Sequence, residues 1–374
     1  MSRRRARPRA QALAGLSIAV LLLAATAFAF SRNGESGDDG GGEIVLTGPA
    51  DLDAAPAATT TSAAAAENRP ASESRRRLQR ALDSAVGEAA ALGGAVEAAV
   101  VLDGGTTLVA AEPGEPERAM RAWSMSKVLT AIALLRAQGW GERPGRSLSS
   151  EAEEAMTGAL VRSENCRQRR MVLELQQAAG GTPADALAAL ADTAGIAGAS
   201  IEMVEAPERP EPICHPFLET QRQIADPLAP GLLLGTSTWT VASAARLAYA
   251  LGDGRYGAAL TERLLALLRE PKLPSRESPA GDYTAALDWG AGSALVDLQP
   301  AYKAGWGGTL QGQFLVGQLA VVQMPGGGVA GIAVAFHPDT QPPKDDPGLT
   351  AGPTAVETVM AAVGAQLETA STRR

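Results

Sequence analysis

Trp123-Ser124-Met125-Ser126-Lys127 runs straight into Val128-Leu129-Thr130-Ala131-Ile132-Ala133-Leu134-Leu135. The apolar run reads as a buried helix, opened by a serine three residues ahead of a lysine. Positions i and i+3 lie side by side on a helix, so the Ser124 hydroxyl and the Lys127 amine share one face. A hydroxyl is a poor nucleophile until a base takes its proton, and a desolvated amine can be that base. The start of a helix adds free N–H groups suited to a developing oxyanion. The plain alternative is a serine that caps a core helix and a lysine that snorkels out of it. Lysine usage favours chemistry. Of 33 Lys+Arg, only Lys127, Lys272, Lys303 and Lys344 are lysines. Arginine serves almost everywhere that positive charge suffices, and arginine cannot give up its proton.

Outward from this stretch, the pattern on its N-terminal side alternates. Gly94–Leu102 and Thr106–Ala111 read as strands joined by an Asp103-Gly104-Gly105 turn, behind a helix carrying Leu78, Leu82, Ala85, Val86 and Ala89. On the C-terminal side, helical periodicity dominates residues 136–270, with segments at Glu151–Val161, Gln168–Ala178, Pro183–Ala194, Thr240–Leu251 and Leu260–Leu268. Asp288–Leu298 is ambiguous. Strands return at Pro300–Gly305, Gln313–Gln323 and Val329–His337, and a last helix at Thr354–Leu367. The expected class is α+β: an antiparallel five-stranded sheet with flanking terminal helices plus an all-helical lobe. A cleft between the two is where a ligand site is expected.

The N-terminus has a different character. Residues 2–9 carry five arginines, and Ala10–Phe30 is an almost unbroken apolar run. That arrangement predicts a signal peptide or membrane anchor over 1–30, with the bulk of the chain outside the cytoplasmic membrane. Ala25-Thr26-Ala27 and Ala27-Phe28-Ala29 both offer cleavage patterns, so secretion and anchoring stay open. Residues 31–72, rich in Gly, Asp, Ala, Thr and Ser, read as a flexible linker. The folded domain is expected over 73–370. Formal charge is −8 with no basic cluster beyond the start and Arg75-Arg76-Arg77, which argues against a nucleic-acid partner. A membrane contact is expected only through residues 10–30. No metal-ligand spacing and no cofactor motif are present, and a monomer is expected.

Two further motifs carry a resemblance. Ser163-Glu164-Asn165 falls between two predicted helices, and Tyr302-Lys303-Ala304-Gly305-Trp306 lies on a late strand. Ser-x-x-Lys, Ser-x-Asn and Lys-x-Gly in that order resemble the class A serine β-lactamases and the related D,D-peptidases, over about residues 73–370. The resemblance implies an acyl-enzyme mechanism on a β-lactam or a cell-wall peptide. Ser124 would be the nucleophile and Lys127 its base or relay. Ser163 would pass a proton to the leaving nitrogen, Asn165 would hold the substrate amide, and Lys303 would attract its carboxylate. Gly305 and Trp306 would border the substrate, with the Ser124 and Trp306 N–H groups as the oxyanion hole.

The resemblance also implies a deacylating glutamate in an Arg-x-Glu-Pro loop, and Arg209-Pro210-Glu211-Pro212 matches it, making Glu211 the expected residue. Glu205 and Glu208 are the alternative counterparts, and an acidic proline-rich surface loop is the plain one. His215 stands where the family has asparagine, and Ala304 where it has threonine or serine. Loss of that hydroxyl's bond to a substrate carboxylate is worth about 1–3 kcal/mol. The Ser124–Ser163 interval is shorter than is typical of the family. The chain has two cysteines, and Cys166 and Cys214 fall in regions that adjoin in the family's fold, which implies a disulfide between them. Rival readings are a peptidase or esterase acting on wall peptides, and a catalytically silent ectodomain that binds wall fragments.

Overall fold

The computed structural model describes residues 45–46, 64–114, 117–140, 147–203, 237–273, 289–308, 314–324, 327–340 and 351–371. All of them belong to one compact unit that starts at Glu43. In chain order the elements begin with a short strand β1 (Val45–Leu46), helix α1 (Ala64–Ala90), strands β2 (Gly94–Val101), β3 (Thr107–Glu112) and β4 (Met120–Arg121). Helices α2 (Ser126–Ala137), α3 (Ser150–Val161), α4 (Asn165–Ala179) and α5 (Pro183–Ile196) follow. Next come β5 (Ile201–Met203), β6 (Ser237–Trp239), α6 (Val241–Gly252), α7 (Ala258–Arg269) and the short α8 (Ala291–Ala294). The chain ends with β7 (Ala301–Gly308), β8 (Phe314–Gln323), β9 (Val329–Pro338) and α9 (Ala351–Ser371).

Five strands form an antiparallel sheet in the order β3-β2-β9-β8-β7. Its central strands are apolar on both faces because both faces are covered. Val96, Ala98 and Val100 of β2, with Ile332, Val334 and Phe336 of β9, pack with α1, α8 and α9. Ala99 and Val101, with Ala333 and Ala335, face the other core, made with α2–α7. The two ends of the sequence therefore share one sheet, and the helices between them cover its second face. Strand β7 lies at the sheet edge, and its alternate residues Lys303, Gly305 and Gly307 face the helical side. Tyr302, Ala304 and Trp306 pack on the opposite core. Ala304 is thus a packing residue of the terminal-helix layer as well as the middle of the Lys-x-Gly motif.

Three departures from the sequence expectation have physical causes. A second, four-stranded sheet of order β1-β5-β6-β4 takes β5 and β6 from the stretch read as mostly helical, β1 from the expected linker and β4 from just ahead of Ser124. Its strands are two or three residues long, too short to show a period of two. The segment 31–72 contains β1 and the first turns of α1, because the Ala-rich run at 63–66 is strongly helix-forming. Ser124 sits in a 3₁₀ turn, Trp123–Met125, and the α-helix proper begins at Ser126. The expected segment 1–30 and the loop holding Glu211, Glu205, Glu208, Cys214 and His215 lie outside the described residues. Among the described residues no helix is long and apolar enough to cross a membrane.

Candidate active site

Helix α2 is buried nearly all round, from Ser126 to Leu135, so its first turn has nowhere to go but the interface with β7 and α4. Lys127 is completely buried there and Lys303 is 2% exposed. A buried ammonium is costly unless its protons are bonded, and here they are. Lys127 Nζ donates to Ser163 O at 2.7 Å, to Asn165 Oδ1 at 2.9 Å and, more weakly, to Ser163 Oγ at 3.4 Å. Lys303 Nζ donates to Ser163 Oγ at 2.9 Å and to its own strand at Ala304 O, also 2.9 Å. Two amines from opposite sides thus converge on one hydroxyl.

That arrangement fixes the donors. Lys303 and Lys127 have protons and no acceptor in their charged forms, so Ser163 Oγ accepts from them and keeps its own O–H proton to give elsewhere. The same logic turns the Asn165 oxygen toward Lys127. Burial, then the charge of Lys127, then that of Lys272 push the Lys303 pKa well below the ordinary lysine value. Three of the chain's four lysines therefore act on one another here, which is the signal that lysine scarcity carried.

Backbone strain marks the same place. The structure has three non-glycine residues at positive φ, of those described, and two are Trp123 at 41° and Ser163 at 55°. Each costs about 1–3 kcal/mol and persists only where its surroundings hold it. For Ser163 the holding comes from the α3–α4 turn, where the Arg162 and Glu164 N–H groups both donate to Gly158 O. The buried bond from Gln168 Nε2 to Thr130 Oγ1, 2.9 Å, ties α4 to α2 and keeps Asn165 beside Lys127. For Trp123, the Ser126 hydroxyl donates to its carbonyl at 2.7 Å.

Ser124 is half-buried at the top of this turn. A Cβ on Gly305 would lie 3.0 Å from the backbone nitrogens of both Ser124 and Met125, so β7 approaches the turn as closely as only glycine permits. Trp306, the next residue, lies half-buried with its ring 6.2 Å from that of Phe314. The structure thus brings Ser124, Lys127, Ser163, Asn165, Lys303 and Gly305 onto adjoining elements, four of them joined by hydrogen bonds. Cys166, the second residue of α4, is disulfide-bonded, and the chain's other cysteine is Cys214. Among the described residues no group of three His, Cys, Asp or Glu could hold a metal ion.

The sequence reading missed two features here. Trp123 opens the motif in the sequence, and its positive φ is a feature of the folded backbone that no sequence pattern shows. Lys272 is one of the four lysines in the sequence, and only the fold sets it above the Tyr302 ring at 4.6 Å, where its charge acts on Lys303.

No protein-family model matches the chain, and no curated protein matches it in sequence. Solved structures do. A class A β-lactamase from Bacteroides cellulosilyticus aligns with a TM-score of 0.50 at 14% identity, over 79% of this chain and 99% of that one. A D,D-transpeptidase domain from Legionella pneumophila gives 0.48 at 13% identity, over 78% and 96%. A variant of PBP-A, solved as an acyl-enzyme complex with penicillin G, gives 0.47 at 19% identity, over 78% and 96%. The chain has the serine β-lactamase/transpeptidase fold. At such identity likeness speaks for the fold, and the chemistry must be argued from the site's own atoms.

Proposed function

We propose that this protein is an exported serine hydrolase that opens β-lactams or related amides through an acyl-enzyme at Ser124. The observation that carries the reading is the convergence of Lys127 and Lys303 on Ser163 Oγ beside the Ser124 turn. In a first step the Ser124 oxygen attacks the carbonyl carbon as its proton passes to Lys127, which acts here as the neutral amine and not as the ammonium that the site's acceptors can also hold. The tetrahedral oxyanion is met by the N–H groups of Ser124 and Trp306. As the carbon–nitrogen bond breaks, Ser163 gives its proton to the leaving nitrogen, and one of the two amines replaces that proton. A lysine with a lowered pKa suits such a relay, because burial and the neighbouring ammonium groups make its proton easier to give up. Water then cleaves the ester, with Glu211 as the residue expected to activate it. Export rests on the arginine-rich start followed by the apolar run at 10–30.

The test uses a fluorescent penicillin and a chromogenic cephalosporin with the soluble domain and its Ser124→Ala variant. Turnover that vanishes in Ser124→Ala supports a β-lactamase, and a lasting label at Ser124 supports a peptidase-like enzyme. Neither label nor turnover would sink the hydrolase reading and favour the silent ectodomain.

A further inference from the structure

The site contains a residue that the acyl-transfer scheme does not use and that carries two local penalties. Trp123 holds φ at 41° directly before Ser124, and its indole Nε1 is buried with no hydrogen-bond partner. The ring lies flat against β7 at Gly307, where a Cβ would fall less than 3.0 Å from Cζ2, Cε2 and Cη2 together. Ring and strand are therefore in contact with no room between them. On the next inward position of the same face, Gly305 meets the Ser124 and Met125 nitrogens. Met125, on the far side of Ser124, presses its methyl onto Gly317, which pairs with Gly305 in the neighbouring strand. The nucleophile thus sits between two side chains, one seated on a glycine of the edge strand β7 and the other on a glycine of β8 beside it.

We propose that Trp123 is the positioning residue of the nucleophile. Its indole is a spacer that, seated on Gly307, sets the separation between the Ser124 turn and the edge strand that carries Lys303. The packing, rather than any hydrogen bond of the ring, holds the left-handed backbone, because the indole N–H has no partner. The width of that gap fixes how the acyl group of a substrate lies between the Ser124 oxygen and β7. The inference rests on Ser124 being the acylated residue, and a misplacement of about 1 Å there is worth about 100-fold in rate.

The experiment separates positioning from acyl chemistry. In a Ser124→Cys background the introduced thiol is read against the Ser124 protein as the blank, Cys166 being disulfide-bonded. Its alkylation rate by iodoacetamide, as a function of pH, reads where residue 124 stands. Acylation by a fluorescent penicillin is read in the Ser124 protein. Gly307→Ala is expected to shift the thiol's pH profile and to slow acylation about 100-fold. Pairing it with Trp123→Met, which frees room for the added methyl, is expected to restore both to within about tenfold. If Gly307→Ala does not fold, Trp123→Met alone is read, with the same loss of acylation expected. An unchanged profile and rate in the single variants, or a double variant no better than the product of the singles, would overturn the proposal. A wild-type protein that takes no penicillin, while the thiol profile still shows the rescue, would overturn the hydrolase reading and leave the spacer standing.

Discussion

One row of residues crosses the sheet from Gly305 through Gly317 and Ala335 to Glu97, and its two ends bury polar groups in opposite ways. At the β7 end, Lys303 and Lys127 are buried with their protons bonded to Ser163 and Asn165. Roughly 14 Å away at three strand spacings, the β2 end holds Glu97, 1% exposed, diagonally across from His337 on β9. Glu97 Oε1 and His337 Nε2 stand 3.9 Å apart, beyond a hydrogen bond, and Glu97 Oε2 and His337 Nε2 have no partner. Burial pushes Glu97 up to about 7 and His337 down to about 4, with Arg118 drawing both downward. Both ends remove charge from water. Only the first lies at the sheet edge against a turn, with a serine between the charges. The difference teaches that burial of a titratable group is not itself a mark of function: a site needs an opening and a group to act upon.

The sharpest way to break that comparison is to remove one titratable group from each end. Lys303→Met should slow acylation by about 100- to 1,000-fold, as expected for a lost electrostatic or proton-relay group, measured by stopped-flow with a chromogenic cephalosporin. Glu97→Gln should leave that rate within about threefold, because its strand lies three places across the sheet from the one that carries Lys303. Comparable losses in both variants would erase the distinction.

The second end makes a prediction in stability. Glu97 is raised, so its stabilising contribution is full below the unfolded pKa of 4.5 and is lost as pH rises to about 7. His337 is depressed, so its contribution is full above 6.5 and is lost as pH falls to about 4. The two slopes oppose, and unfolding free energy should be flat between about pH 4.5 and 6.5 for this pair. Glu97→Gln should expose the histidine slope, a rise of about 3 kcal/mol from pH 4 to 6.5, read by urea denaturation at several pH values. His337→Gln should expose the opposite slope, a fall of similar size from pH 4.5 to 7. Parallel curves in all three proteins would contradict the assignment.

The smallest effect serves as the control. Thr182 caps α5, accepting from the Asp185 N–H while Asp185 Oδ2 accepts from the Thr182 N–H. Thr182→Ala should cost about 1 kcal/mol in thermal unfolding and leave acylation unchanged.

How much of this was written in the sequence differs between the two ends. The strands β2, β8 and β9 and the helices α3 and α5 were legible to within a few residues, since long apolar periods are set by burial on one or both faces. The meeting of Lys127, Ser163, Asn165 and Lys303 was legible because motif spacing and the rarity of lysine are local facts. Glu97 and His337 were not singled out. The signal existed: a charged residue inside Val96-Glu97-Ala98, and a histidine at the end of Ala335-Phe336-His337. Their meeting depends on the register of β2 against β9, which no local pattern prints. The same is true of Trp123 on Gly307, and of the short strands of the second sheet, whose pairing alone defines them.

The most direct test of the account is to ask which atom carries the acyl group. The full soluble domain is mixed with benzylpenicillin, quenched in acid after milliseconds to minutes, and its intact mass and peptides are measured. The account predicts one penicilloyl group, borne by the peptide that contains Ser124, absent from Ser124→Ala and slow to form in Lys127→Met. An adduct on any other residue, or none at any quench time in the wild-type chain, would contradict it.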